Sequence, residues 1–255
     1  MRKSRIGVWI LFGGLLLSGI VFLVPVVLTA VASFLLDEKL SVEGYRVLFF
    51  DCFPFYRMFW NSVLYAFSIT LGAIVVAVPA AFAFRFAHFP GKQALYVLYI
   101  VLMMMPLQVM LLPNYIGLRD MGLLNTPYAI ILPLVFSPLA VVVLHQYLKE
   151  CDTQMVEAAR LETNSVLKII LHCILPQVKL CVFAVGLLIF AEAWNLVEQT
   201  LLYLDEDRWK NLSLLFSEAE RYEAEVLLPA AVLFMIPVLL WYLLFHNELK
   251  RGLKF

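Results

Sequence analysis

Long uninterrupted runs of apolar residues restrict the folds open to this chain more than any other feature. Six runs occur along its 255 residues, and each approaches the roughly 20 residues that a helix needs to cross a bilayer. They are predicted at residues 9–32, 60–84, 94–115, 127–147, 178–199 and 226–246. The runs are continuous rather than alternating, which favours helices over the strands of a barrel. The sequence therefore predicts an all-α, polytopic membrane protein with six transmembrane helices.

The composition supports a membrane environment. Hydrophobic residues make up 63% of the chain and charged residues 15%, whereas a soluble domain has roughly 45–50% apolar and about 25% charged residues. The formal net charge is zero, so nothing indicates a nucleic-acid partner. The first apolar run is too long for the 7–15 residues of a signal peptide's apolar region and is interpreted as a retained first span.

Lysine and arginine placement predicts the orientation, because cytoplasmic loops of membrane proteins carry an excess of both. With the N-terminus inside, twelve fall on the cytoplasmic side and seven outside. The cytoplasmic set is Arg2, Lys3, Arg5, Arg85, Lys92, Lys149, Arg160, Lys168, Lys179, Lys250, Arg251 and Lys254. The outer set is Lys39, Arg46, Arg57, Arg119, Arg208, Lys210 and Arg221. Both termini are therefore expected in the cytoplasm.

The loop at residues 148–177, between the fourth and fifth predicted spans, is longer than a simple connection requires. Asp152 or Thr153 can cap a polar helix that runs to Glu162. Residues 163–165 break this helix and can cap a second one, which is expected to stop before Pro176. The loop therefore predicts two short helices joined at an angle on the cytoplasmic side.

Several motifs in the chain are similar to those of a known family. The segment EAARLE begins at Glu157, and Ile-Leu-Pro follows at residues 174–176. Together they resemble the EAA loop of ABC importer permeases. Further similarities to the sugar-importing branch are Asn61-Ser62, residues 80–84, Gln108 with Pro113, the GLLNT segment at 122–126, Leu132-Pro133, Gln146 and Trp194-Asn195. The chain resembles the maltose-type second permease subunit from about residue 6 to 253.

The resemblance implies an ABC importer type I fold, with the chain as a single permease domain at 1–255 in the bacterial inner membrane. It implies that an EAA coupling helix seats in a separate ATPase. The residues implied in this coupling are Glu157, Ala158, Ala159, Arg160, Glu162 and Thr163. The implied partners are a second homologous permease, a dimeric cytoplasmic ATPase and an extracytoplasmic solute-binding protein. The chain itself would bind no cofactor, because ATP and Mg would lie on the ATPase.

Three departures from the family pattern concern the turn and the tail. Thr163 stands where the family has glycine, and a β-branched residue fits a positive-φ turn poorly, so the break is expected to shift to Asn164. Leu196 replaces the aspartate that usually follows Trp-Asn, and the glycine-rich tail is missing after Gly252.

No enzyme motif explains the chain. Gly91-Lys92 lacks the earlier glycine and the Ser/Thr of a phosphate-binding loop. The histidines show no metal-ligand spacing. The chain is therefore expected to be a transport subunit rather than an enzyme, with ATP hydrolysis on another chain.

A polar group inside the fifth predicted span suggests a solute path. Glu192 would cost about 2.5–3.5 kcal/mol if it faced lipid at a helix centre. Glu192, Asn195 and Gln199 would share a helical face, and carboxylates, amides and an aromatic ring suit a sugar. The path candidates are Glu192, Trp194, Asn195, Gln199, Gln108 and Asn61. A purely structural hydrogen bond remains the alternative for Glu192.

The outer loop between the last two predicted spans is acidic, and its carboxylates could contact a binding protein or simply face solvent. The favoured function is the permease subunit of an ATP-driven, binding-protein-dependent importer of carbohydrate. Two rival functions are a self-sufficient secondary transporter, which would need its own ion-coupling groups, and a non-transporting membrane scaffold or receptor on the same fold.

Overall fold

The computed structural model describes residues 2–36 and 39–252. Lys254, one of the expected cytoplasmic cations, lies outside the described residues, as do Met1 and the last residues of the expected 1–255 domain. The chain is organised as two compact units. One comprises Met1–Tyr56 with Glu218–Pro237, and the other comprises Arg57–Ser217 with Val238–Phe255.

The first unit contains the N-terminal helix α1 (Arg2–Ala32) and a small antiparallel ribbon that pairs β1 (Leu35–Leu36) with β2 (Lys39–Leu40). A short helix α2 (Glu43–Arg46) then continues into a π-helical turn at Val47–Asp51. No described side chain of α1 is fully buried. The apolar surface of α1 is therefore available to contact lipid or another protein chain.

Close contacts hold the segment after α1 and the residues around Glu225 together in the first unit. The hydroxyls of Tyr45 and Ser33 lie 2.9 Å apart, and the ring of Tyr45 lies 4.9 Å from that of Phe34. A Cβ on Gly44 would come within 2.7 Å of the Glu225 carbonyl oxygen. This close backbone approach requires a residue without a side chain.

The second unit holds most of the remaining helices. They are α4 (Lys92–Met104), α5 (Leu107–Asp120), α6 (Pro127–Val135), α7 (Pro138–Lys149), α8 (Thr153–Glu162), α9 (Val166–Ile169), α10 (Leu175–Trp194), α11 (Glu198–Tyr203) and α12 (Leu212–Ser217). Two further helices each contain a sequence boundary between the units. They are α3 (Phe53–Phe86) and α13 (Ala224–Gly252).

Five described segments are long and apolar enough to cross a membrane, and a bent pair of helices could provide a sixth. The five are Phe12–Ala32, Phe53–Phe86, Pro127–Lys149, Val166–Trp194 and Ala224–Leu244. These segments match five of the predicted spans in number and order. The all-α prediction is confirmed, with corrections to the third and fifth spans.

The third predicted span, residues 94–115, is not one straight helix. It consists of α4 and α5, whose axes are bent by 107°. The break falls at Met105 and Pro106, which both have extended backbone. Proline has no N–H to donate, and its ring disfavours helical geometry in the preceding residue, so Met105 is driven out of the helix.

The fifth predicted span has different ends from those expected. The helix begins at Val166, passes through Pro176 and ends at Trp194. A π-helical turn at Ile170–Ile174 lies directly before Pro176. The wider turn shifts the carbonyls that the proline ring would otherwise meet, so the expected stop before Pro176 is wrong.

Aromatic rings form much of the core of the second unit where α3 meets α10. Phe190 of α10 stacks on Trp241 at a centroid distance of 4.9 Å and meets Phe67 of α3 edge-on at 5.4 Å. A Cβ on Gly186 would lie 3.2 Å from Ile74 Cδ1. The small residue therefore lets α10 approach α3 closely.

Candidate functional site

Helix α8 covers the EAARLE segment, for which a coupling helix is predicted, and its local sequence explains both its start and its orientation. The Asp152 carboxylate accepts a hydrogen bond from the Gln154 N–H at 2.9 Å, which confirms the predicted cap. Val156 is 2% exposed and anchors the inner side. Glu157 and Ala158 point away from it and are exposed.

The exposed side of α8 forms a continuous strip, which we call the coupling strip: Gln154, Glu157, Ala158 and Leu161. These residues follow the spacing i, i+3, i+4 and i+7, so they share one helical face. Leu161 is 92% exposed. The sequence prediction omitted Leu161, although its position four residues after Glu157 places it on the same face.

The α8 helix ends at Thr163 without a left-handed turn. Thr163 has φ −148° and ψ 137°, extended backbone that any residue adopts. Its hydroxyl accepts a hydrogen bond from the Ser165 N–H at 3.2 Å, and the Ser165 hydroxyl accepts from the Lys168 N–H at 3.4 Å. The expected shift of the break to Asn164 is therefore wrong, since no positive φ occurs in this turn. The expected second cap is confirmed.

Arg160 does not lie on the coupling strip. Its Nη2 donates to the carbonyl oxygen of Phe86 at 3.3 Å, at the C-terminal end of α3. Nearby cations bind helix ends in the same way: Lys92 Nζ donates to the Ala87 carbonyl at 2.9 Å, and Arg85 Nε donates to the Leu148 carbonyl at 3.3 Å. The last carbonyls of a helix have no partner within it and carry partial negative charge, which cations satisfy.

The expected inner and outer cations differ in their partners. Salt bridges join Arg46, Arg119, Arg208, Lys210 and Arg221 to acidic side chains. All five belong to the expected outer set. Among the described residues, no cation of the expected cytoplasmic loops forms a salt bridge, although the loop at 148–177 holds four acidic residues beside its three cations.

The predicted path residues divide into two groups. Glu192 and Asn195 are exposed, and the Asn195 amide donates to the Ala191 carbonyl at 2.7 Å, at the end of α10. Trp194 is fully buried and stacks on Phe190 at 5.9 Å. Within this chain the Trp194 ring is therefore a core element.

Asn61 and Gln199 are also buried. Asn61 Nδ2 donates to the carbonyl oxygens of Arg208 and Lys210 at 2.9 and 2.8 Å, and so holds the segment after α11 against α3. Gln199 lies in α11, beyond the end of α10. The helical face that Glu192, Asn195 and Gln199 were expected to share does not exist, because the helix ends at Trp194.

Glu198 is a polar residue that the predicted site left out. Gln108 Nε2 donates to both of its carboxylate oxygens, at 3.2 and 3.4 Å. Gln108 follows the break between α4 and α5, and Glu198 follows the break between α10 and α11. Two interrupted helices therefore meet at an exposed amide–carboxylate pair, which we call the break pair. The spacing of Glu198 three residues after Asn195 was the available sequence signal.

The GLLNT segment has a structural role. Asn125 has φ 61°, and its N–H donates to the Tyr203 carbonyl at 3.0 Å. Its side-chain oxygen accepts from the Asp205 N–H at 2.6 Å. Asparagine tolerates left-handed backbone better than most residues. The segment therefore fastens the turn before α6 to the end of α11.

The acidic segment that is expected to form an outer loop is partly neutralised by its own cations. Asp207 pairs with Lys210 at 2.7 Å, and Glu206 pairs with Arg208. In the first unit Glu218 pairs with Arg221 at 2.8 Å. Each pair has at least one exposed partner, and surface pairs are worth about 0–1 kcal/mol. They therefore offset part of the negative charge locally and add little to stability.

Comparisons with known proteins agree on one family. A family model described as a binding-protein-dependent transport system inner membrane component matches residues 69–253. The chain is 26% identical over 202 residues to the sn-glycerol-3-phosphate transport system permease protein UgpE of Brucella abortus (strain 2308), an alignment that covers 77% of this chain and 72% of that protein. UgpE of Shigella flexneri serotype 5b (strain 8401) is 27% identical over 205 residues, covering 78% and 73%.

A crystal structure of a bacterial ABC transporter involved in the import of the acidic polysaccharide alginate contains a chain with the same fold. The TM-score is 0.81 at 19% identity, over 97% of this chain and 98% of that chain. The family prediction is confirmed, and the ATPase of such importers is a separate subunit. This chain therefore belongs to the binding-protein-dependent transport system inner membrane components, as a permease subunit of an ABC importer and not an enzyme.

Proposed function

We propose that this chain pairs with a second, homologous permease subunit and that α8 transmits the closure of a dimeric cytoplasmic ATPase to the membrane helices. A solute-binding protein delivers the solute from outside. The solute path then opens alternately to either side of a bacterial cytoplasmic membrane. Both termini face the cytoplasm.

The observation that carries this proposal is the asymmetry of α8. Val156 is almost fully buried, whereas Leu161 on the coupling strip is 92% exposed. A leucine held in water beside a small residue, Ala158, offers an apolar contact into which another protein surface can fit closely. Glu157 on the same strip supplies charge for orientation. A surface of this kind suits a docking helix better than a simple loop.

The charge distribution supports the cytoplasmic location of α8. The cations expected inside bind helix-end carbonyls or no described partner, while those expected outside are largely paired with acids. An excess of lysine and arginine, twelve against seven here, is typical of the cytoplasmic side, and the loop that contains α8 belongs to that side in the predicted topology. The described residues form no group of His, Cys, Asp or Glu that could hold a metal ion. ATP and Mg are assigned to the partner ATPase, because the ATPase of such importers is a separate subunit.

The solute is proposed to be a carbohydrate or a related polyhydroxylated compound. Its path along this chain is assigned to the exposed members of the predicted set and to Glu198, because exposed carboxylates and amides can accept and donate hydrogen bonds to hydroxyls. They are Gln108, Glu192, Asn195 and Glu198. Asn61, Trp194 and Gln199 are assigned to supporting the helix ends.

Site-directed crosslinking tests the coupling role. Native Cys151 and Cys173 are first replaced by serine, since both lie in the same loop. Ala158→Cys is then treated with a short bifunctional thiol reagent in membranes that contain the co-expressed ATPase. We expect a crosslinked product between the permease and the ATPase, formed only from the inner side of the membrane.

The matched control is Lys168→Cys, an exposed position in the same loop but off the coupling strip. It should give little or no product. Equal crosslinking at both positions, or product only from the outer side, would contradict the proposal. Ion-driven transport by the purified chain without any ATPase would favour a secondary transporter instead.

A further inference from the structure

Besides a weak hydrogen bond from Gln177 Nε2 of α10 to Met155 Sδ of α8 at 3.6 Å, two physical connections lead from α8 into the membrane helices. One is covalent and runs through the non-helical residues 163–165 into the long helix Val166–Trp194. This connection contains the π-helical turn Ile170–Ile174, with Pro176 directly after it. Both α3 and α10 contain a proline, but only this connection also has a non-helical link and a π-helical turn. Such links and turns are places where helices bend, so a displacement of α8 is partly absorbed along this connection.

The other connection is the hydrogen bond from Arg160 to Phe86. It joins α8 to the last residue of α3, a helix of 34 residues that remains α-helical through Pro79. A guanidinium that binds a C-terminal carbonyl also interacts with the negative end of the helix dipole. This connection bypasses both the break at 163–165 and the π-helical turn.

The helix reached through Arg160 is packed along α10. Phe67 of α3 contacts Phe190 of α10 at 5.4 Å, and Phe59 contacts Trp194 at 6.0 Å. Beyond the Phe67–Phe190 contact, toward the C-terminal end of α3, the absence of a side chain at Gly186 lets the two helices approach closely. Close-packed helices move together because their interface does not deform continuously.

We propose that Arg160 is a positioning residue that fastens the coupling helix to α3, so that α3 and α10 follow the displacement of α8 as one body. The inference rests on the proposed coupling function of α8. It assigns Arg160 to a contact inside this chain rather than to the ATPase surface. Without the Arg160 side chain, the ATPase remains docked on α8 and active. A smaller part of the displacement of α8 then reaches the solute path.

The test compares Arg160→Ala with the control Lys168→Ala in the complete importer reconstituted in vesicles. Lys168→Ala removes one positive charge from the same loop, and its side chain makes no described hydrogen bond or salt bridge. For Arg160→Ala we expect normal co-purification of the ATPase and near-normal ATP hydrolysis. The number of ATP molecules hydrolysed per solute transported should rise severalfold, because less of the displacement of α8 reaches the path.

Arg160→Lys should restore part of the coupling, since lysine keeps a charged donor but not the planar guanidinium. An unchanged ATP-to-solute ratio in Arg160→Ala would overturn this inference alone. A wild-type chain that recruits no ATPase would overturn the proposed function and this inference with it. The two failures are therefore distinguishable.

A second measurement on the wild-type complex covers the case in which Arg160→Ala does not assemble. Hydrogen exchange is followed at residues 83–87, the last turn of α3, and in α8, with and without trapped nucleotide. We expect protection to change in both segments together. A nucleotide-dependent change confined to α8 would overturn the inference.

Discussion

Asn61 illustrates that a polar side chain in an apolar helix can either line a path or hold the backbone. The residue type permits both roles, because an amide can bind a sugar hydroxyl or a carbonyl equally well. Its surroundings select the second role: Asn61 is buried, and its amide donates to the carbonyls of Arg208 and Lys210. Those carbonyls lie about 150 residues further along the chain, too far for a local sequence pattern to reveal.

Asn61→Ala should therefore destabilise the protein without changing which solute it carries. Two carbonyls would lose their donor, and leaving a buried polar group unpaired costs about 1–3 kcal/mol. Thermal unfolding of the purified chain in mild detergent measures the loss, and solute competition in transport measures specificity. Asn164→Ala, at an exposed position, is the control and should unfold like the wild type. Altered solute preference in Asn61→Ala would show that it lines the path after all.

Thr163 shows a different limit at the residue scale. Its identity predicts difficulty with a positive-φ turn, and this physical argument is sound. The structure avoids the difficulty by making the turn in extended backbone and by using the threonine hydroxyl as an acceptor for the Ser165 N–H. The threonine at the position where the family has glycine thus stabilises the turn with its own side-chain hydrogen bond.

At the scale of single elements, helix contacts depend on small residues whose partners lie elsewhere in the chain. A Cβ on Gly72 of α3 would lie 2.6 Å from Cγ2 of Val135 in α6. Valine has restricted side-chain rotation and cannot easily move aside. In contrast, nothing lies within 4 Å of the corresponding position at Gly117 of α5.

Gly72→Ala should consequently lower the free energy of unfolding, because overpacking typically costs about 1–3 kcal/mol. Gly117→Ala is the control, and it should be neutral or stabilising by up to about 1 kcal/mol, since alanine favours helix over glycine. Thermal unfolding in detergent compares the two. Equal stability of both variants would show that α3 and α6 do not approach each other as described.

Local patterns predicted some elements well and others poorly for the same physical reason. The start of α8 at Thr153 and the cap by Asp152 follow from neighbouring residues, and both were predicted. The end of α10 at Trp194 does not, because the apolar run continues past it. There, hydrogen bonds from Asn211 to the Leu196 carbonyl and from Ser213 to the Trp194 carbonyl satisfy the backbone that leaves the helix. Asn211 and Ser213 are distant in sequence from the helix end that they stabilise, so the end of α10 was not predicted. The break pair, which depends on that end, was therefore missed as well.

At the scale of the whole molecule, the predicted orientation places Cys52 outside the membrane and Cys151 inside. The structure shows both as free, half-buried thiols outside the membrane-spanning segments. Burial raises the pKa of each thiol. Only the thiolate reacts with maleimides, so a raised pKa means a smaller reactive fraction at neutral pH and a rate that increases as pH rises toward the pKa.

Two variants are compared, one that retains only Cys52 and one that retains only Cys151. A membrane-impermeant maleimide applied to intact cells should label the first variant and not the second. Permeabilised cells should show labelling of both. For each thiol the rate should rise about tenfold per pH unit above pH 7, until the pKa is reached. Labelling of Cys151 in intact cells would place α8 outside and contradict the coupling role. A pH-independent rate would contradict the burial of the thiol.

The sequence by itself determined the membrane class, the approximate number of helices, the coupling segment and the family, because apolar run length, lysine and arginine placement and the EAARLE motif act over short stretches of chain. Only the tertiary structure decided where α10 ends, that Trp194 and Asn61 belong to the core, and that Arg160 binds α3 rather than lying on the coupling strip. Each of these depends on a carbonyl or ring supplied by a distant part of the chain. Such a partner is fixed by packing, and no local pattern encodes it.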